Sequence, residues 1–118
     1  MSKIALFPGT FDPFTLGHLD IVNRGLTLFD EVVVAIGVNT GKKHMFSLEQ
    51  REQWVNELFE NEPRVSVASY EGLTAKFAEQ IGAQFILRGL RTTQDFTHEK
   101  QIAYVNDDMS PSGKSVSL

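Results

Sequence analysis

Short apolar runs alternate with amphipathic stretches along the chain. Residues 3–8, with Ile4, Ala5, Leu6 and Phe7 in succession, read as a buried strand, broken by Gly9 and a turn-rich stretch to Gly17. From His18 onward, Leu19, Val22, Leu26 and Phe29 recur at steps of three and four, the stripe of a helix that faces a core. Residues 31–38 hold Val32, Val33, Val34, Ala35 and Ile36 without interruption, which suits a strand covered on both faces and therefore a parallel sheet. A polar loop over 39–46 follows. Ser47-Leu-Glu-Gln50 matches a capping box, and the helix it opens runs through Trp54, Val55, Leu58 and Phe59 to a stop at Pro63. Val65 and Val67 predict a third strand, Leu73, Phe77 and Ile81 a third helix closed by Gly82, and residues 84–87 a fourth strand. A polar segment with Arg88, Gly89 and Arg91 leads to a less regular helix over 96–106, a loop over 110–113 and the opening of a fifth strand over 115–118.

Strands alternating with helices imply right-handed crossovers, so the expected fold is α/β: a doubly wound parallel sheet in a single domain over 1–118. Ligands of such sheets bind at the carboxyl ends of the strands. The segments expected there are 9–18, 39–46, 69–74 and 88–91.

Composition narrows the function classes. The chain has 118 residues, a formal net charge of −4, 42% hydrophobic residues and no cysteine. One domain of this size can bury a core without staples. The missing thiols remove disulfides, thiolate metal sites and thiol nucleophiles, and fit a reducing cytoplasm. The acidic balance argues against a nucleic-acid-binding face, and no run is long enough to span a membrane or shaped like a signal peptide.

The loops carry the candidate chemistry. In Pro8-Gly-Thr-Phe-Asp-Pro-Phe-Thr-Leu-Gly-His18, Gly9 allows close approach of a ligand to the backbone and Gly17 clears the start of a helix. Free amides there, with His18 as a further donor, suit a phosphate; a strained turn with a histidine that caps the helix or faces solvent accounts for the same spacing. Lys42 and Lys43 on their own read as solvated loop charges. Arg88 emerges at the sheet edge, where it suits a bidentate phosphate contact or an ion pair. Asp95 and Glu99, four apart on one helix face, could bond a ribose, position an arginine or be solvated. Asp107 and Asp108 read as a solvated acidic end, and Trp54 and the helix phenylalanines as core. His44 and His98 lack metal-ligand spacing, so no metal-binding residues are expected. The phosphate-loop, dinucleotide and nucleophile-elbow motifs are absent.

Thr15-Leu-Gly-His18 resembles the Thr/His-x-Gly-His signature of nucleotidyltransferases. Pro8-Gly-Thr-Phe-Asp-Pro13, with Ile86-Leu-Arg-Gly-Leu-Arg91, Asp95-Phe96 and Glu99, closely resembles the bacterial phosphopantetheine adenylyltransferase family, from Ile4 to the last predicted strand. The resemblance implies a Rossmann-like sheet on which ATP and 4′-phosphopantetheine react to dephospho-coenzyme A and pyrophosphate, with Mg²⁺ on the triphosphate. It implies that His18 stabilises the transferring phosphoryl group, that Thr10 orients the attacking phosphate and meets both substrates, and that Lys42 and Arg88 grip phosphopantetheine with Thr74 beside its arm. Phe11, Gly89, Leu90, Arg91 and Glu99 would complete the ATP site with Thr10 and His18. Dephospho-coenzyme A or coenzyme A would bind as product-like ligands, and the family's habit is a cytoplasmic homohexamer. The family's later Ile-Ser-Ser-Ser/Thr-x-x-Lys/Arg segment and terminal helices have no counterpart before Leu118, so the C-terminal part of the family domain is expected to be missing. Ser112-Gly-Lys114 also departs from the acidic residues common at that place. Two other readings stand beside this one: a relative with another acceptor, which the Arg88-Gly-Leu-Arg91 and Asp95-Phe96 residues disfavour, and an inactive substrate-binding fragment.

Overall fold

The computed structural model of the chain describes residues 2–38, 41 and 43–88, with the backbone of 114–117. Its elements run β1 (Ile4–Gly9), α1 (Leu16–Leu28), β2 (Glu31–Gly37), α2 (Leu48–Leu58), β3 (Val65–Tyr70), α3 (Thr74–Ile81), β4 (Phe85–Arg88) and β5 (Lys114–Ser117). The strands form a five-stranded sheet in the order β3-β2-β1-β4-β5, and every neighbouring pair is parallel. The expected doubly wound sheet is therefore present. The helix expected over 96–106 and the loop over 110–113 lie outside the described residues.

The two-residue period of the strands sorts the core onto two faces. Ala5, Phe7, Val32, Val34, Ile36 and Leu87 pack with Val22 of α1, Val55 of α2 and the rings of Phe29 and Phe59. Leu6, Ala35 and Ile86 point the other way, onto Ala78 of α3 and Ala83. The apolar runs in β1 and β2 are continuous because both faces are covered. Leu6, Ile36, Ile86 and Leu87 are fully buried, each contributing about 1.5–3 kcal/mol relative to exposure.

Three details depart from the expected pattern. Trp54 and Leu58 are not core: they are 38% and 49% exposed, because only the Arg51–Val55 stripe of α2 meets the sheet. Leu73 is the exposed N-cap of α3, whose buried face is made by Ala75 and Ala78. At Ser47 only one half of the expected box is seen, the Gln50 amide donating to Ser47 Oγ at 3.1 Å. A reciprocal box forms one helix earlier, between Thr15 and His18.

Candidate active site

The strand order reverses direction between β1 and β4, and at their carboxyl ends the sheet opens into a cavity of about 450 Å³. Thr10, Gly37, His44, Tyr70, Thr74 and Arg88 are among the residues that line it. This is the crevice that the topology prescribes. Thr10 follows β1, Arg88 ends β4, and Thr74 opens α3 with its hydroxyl 2.8 Å from that of Tyr70. Tyr70 is held in turn by stacking on Phe77, with ring centres 4.9 Å apart.

The loop from β1 to α1 is built around Phe11, a buried residue with φ of +50°. Such a backbone costs on the order of 1–3 kcal/mol outside glycine, and burial of the ring offsets it. The ring folds back over Gly9, where a Cβ would lie 2.9 Å from it. Gly9 is thus required by a side chain of the protein itself, and it also lines the cavity, where close approach of a ligand is expected. Phe11 packs edge-on against Phe7 at 5.0 Å and against the His18 ring at 4.9 Å, and Phe14 lies 5.2 Å from His18.

His18 is the third residue of α1 and takes part in its cap. Its Nδ1 accepts the Thr15 amide at 2.9 Å and lies 3.1 Å from Thr15 Oγ1, while its own amide donates to Thr15 Oγ1 at 3.3 Å. An Nδ1 that accepts an amide carries no proton, so the ring's N–H is at Nε2. The capping role and the donor role foreseen for this histidine use opposite edges of one ring. Thr15 also takes the Leu19 amide on its carbonyl.

Asp12 and Arg51, which sequence reasoning missed, lock this loop to the next. The Asp12 carboxylate accepts the amides of Met45 and Phe46. Burial works to raise its pKa, but those two amides, the Arg51 guanidinium and His44 outweigh it and hold the carboxyl below its ordinary range. In the other direction Arg51, only 3% exposed, donates to the carbonyls of Phe46, Ser47 and Thr10, the last at 2.8 Å. A cation on the buried stripe of α2, one turn before Val55, was the available signal: so deep a guanidinium needs acceptors.

Of the expected site residues, Thr10, Thr74 and Arg88 share the cavity. Phe11 and His18 are not among its lining residues and pack with each other in the aromatic cluster of the β1–α1 loop. Lys42, Gly89, Leu90, Arg91 and Glu99 fall outside the described residues. Among the described residues no three His, Cys, Asp or Glu gather where they could hold a metal ion.

Residues 6–110 match the family model described as cytidylyltransferase-like. The chain is 58% identical over 106 residues to a phosphopantetheine adenylyltransferase of Flavobacterium psychrophilum, covering 90% of this chain and 70% of that one. To the Bacteroides thetaiotaomicron protein of the same name it is 50% identical over 102 residues, 86% of this chain and 68% of that one. A lipopolysaccharide core biosynthesis protein of Thermoplasma volcanium shares the fold at a TM-score of 0.69 and 22% identity, over 100% of this chain and 97% of that one. So does a bifunctional NMN adenylyltransferase/ADP ribose pyrophosphatase of Francisella tularensis, at 0.68 and 20%, over 100% of this chain and 38% of that one. On these matches the chain belongs to the cytidylyltransferase-like family and, within it, to the phosphopantetheine adenylyltransferases.

Proposed function

We propose that the chain is a nucleotidyltransferase that moves the adenylyl group of ATP reversibly onto 4′-phosphopantetheine, giving dephospho-coenzyme A and pyrophosphate. The observation that carries the reading is the 58% identity over 106 residues to a relative bearing that name. The shared cavity of Thr10, Thr74 and Arg88 supports it.

In this reaction an oxygen of the 4′-phosphate forms a bond to the α-phosphorus of ATP. The bond from that phosphorus to the bridging oxygen breaks, and pyrophosphate leaves with the electron pair. The nucleophile is already anionic, so the protein need only position the reactants and stabilise charge. Arg88 and Lys42 hold the 4′-phosphate, Thr10 orients it, and Thr74 lies beside the pantetheine arm. His18 offers Nε2–H to the developing phosphoryl charge, fixed by the bond its Nδ1 accepts. At Gly17 a Cβ would meet only Thr15 Oγ1, at 3.6 Å. The fold does not itself demand glycine there, which fits close approach of a triphosphate to the start of α1.

The described lining of the cavity offers no carboxylate. A Mg²⁺ ion would accordingly be held by the triphosphate oxygens and would neutralise part of their charge. ATP contacts at Phe11, Gly89, Leu90, Arg91 and Glu99, a homohexamer, a cytoplasmic setting and coenzyme A as a product-like ligand rest on the sequence resemblance. No helix of the described residues is long and apolar enough to cross a membrane.

The test is turnover of ATP and 4′-phosphopantetheine, with dephospho-coenzyme A identified by mass. Lys42→Ala and Arg88→Gln should each weaken acceptor binding by about 1.5–3 kcal/mol, much more than ATP binding. Turnover of another acceptor in place of phosphopantetheine would overturn the reading.

A further inference from the structure

We propose that His44 is a further contact for the acceptor's phosphate, charged by proton uptake as that phosphate enters; this rests on the function proposed above. His44 lines the cavity with Thr10, Thr74 and Arg88, and its side chain is 17% exposed. Its Nδ1 is closed to solvent and makes no hydrogen bond among the described residues. The nearest acidic atom is Asp12 Oδ2 at 3.6 Å, too far for a hydrogen bond and close enough for one to form with a small movement. Asp12 is itself pinned by the amides of Met45 and Phe46, so it stands as a fixed negative charge behind the ring.

Only Nε2 is then left to meet a ligand. A ring with a carboxylate at one edge and a phosphate at the other binds best as imidazolium, donating from both nitrogens. The groups around it divide on the proton. Asp12, from the β1–α1 loop, favours it; Lys43 beside it, Arg51 of α2 behind Asp12 and Arg88 of β4 across the cavity oppose it. The Tyr70 hydroxyl of β3 is engaged with Thr74. A dianionic phosphate adds the charge that shifts the balance, and imidazole is the side chain whose charge changes in the physiological range.

The experiment is calorimetric titration of 4′-phosphopantetheine into the whole chain from pH 6.5 to 9, in buffers of different ionisation enthalpy, with pantetheine lacking the phosphate as control. The wild type should take up a fraction of a proton with phosphopantetheine at pH 8 and none with pantetheine. His44→Gln should lose the uptake and bind about tenfold more weakly at pH 6.5, converging on the wild type by pH 9, with ATP affinity unchanged. His44→Lys, charged throughout, should restore affinity without proton uptake, and circular dichroism checks that both variants fold. Equal uptake by wild type and His44→Gln, or an affinity loss that is the same at every pH, would overturn the proposal and leave the enzymatic reading intact. A wild-type chain that binds no phosphopantetheine at all would overturn both.

Discussion

The β1–α1 loop carries its own scaffold: Phe11 fills the space over Gly9, the rings of Phe7, Phe14 and His18 close around it, and Thr15 and His18 cap the helix that follows. The loop from β2 to α2 borrows its scaffold. The amides of Met45 and Phe46 end on Asp12 of the first loop, and the carbonyls of Phe46 and Ser47 end on Arg51. Arg51 also grips Thr10, so the loan runs both ways. The difference shows how a cavity made of loops stays in register: one loop is rigid by packing, and the other is tied to it by a carboxylate and a guanidinium.

The largest effect should come from within the self-supporting loop. His18→Ala is expected to lower turnover about 10²–10³-fold, the usual cost of one preorganised donor. His18→Gln separates the ring's two duties, since glutamine at this position can still accept the Thr15 amide. It should keep the thermal midpoint of the wild type and still lose turnover; full activity in that variant would show that only the cap matters. Next comes the tie. Arg51→Met leaves the carbonyls of Thr10, Phe46 and Ser47 without their charged donor and should cost roughly 2–3 kcal/mol of stability, with acceptor KM rising through Thr10. An unchanged melting curve would mean that the loops do not depend on it. Thr15→Ala removes the oxygen that takes the His18 amide and should cost about 1 kcal/mol in denaturant titration, leaving the second loop undisturbed.

The smallest effect is acid loosening of the borrowed loop. Asp12 has a folded pKa below the ordinary 3.8, so its contribution is complete above that value and is lost as pH falls through the lower one. Trp54, the chain's single tryptophan, packs against Phe46 with ring centres 4.7 Å apart and reports on this loop. Its emission should stay steady down to about pH 4 and shift below it, and Asp12→Asn should show the shifted emission at neutral pH. A second acid-sensitive pair lies elsewhere. Glu62, brought to a pKa of about 2 first by the side-chain bonds from Arg64, loses its contribution over the same acidic range without moving Trp54 emission.

The parallel sheet was legible because Val32 to Ile36 leaves no polar face, a constraint that one strand carries alone. The start of α2 after Ser47 and the end of α3 at Gly82 were legible for the same reason, since a cap is a local signal, whereas α2 ends at Leu58, well before the Pro63 expected to stop it. Trp54 was misread because it adjoins Val55 but lies off the buried stripe, and its partner Phe46 comes from the preceding loop. The tie between the loops was invisible to spacing, since the partners of Asp12 lie 33 and 34 residues away and Thr10 lies 41 residues from Arg51, although a cation on the buried stripe of α2 was itself a signal. The second demand on Gly9, room for the Phe11 ring, was not legible because that ring's fold depends on a single unusual backbone angle. Lys42 and the Arg91 and Glu99 positions gained nothing from the fold, as they fall outside the described residues.

The place of β1 between β2 and β4 has a consequence for assembly. Ile4 and Gln84 bond to each other across 80 residues, at the base of the β1–β4 pair. A chain emerging from its N-terminus can complete β1, β2 and β3 with their helices while one edge of the first strand still waits for a neighbour. Thr10 and Arg88 meet only when that edge is closed. The cavity is therefore absent from every half-zipped state, and a ligand touching both residues acts as a clasp on the finished sheet, favouring the native chain over its partly assembled forms.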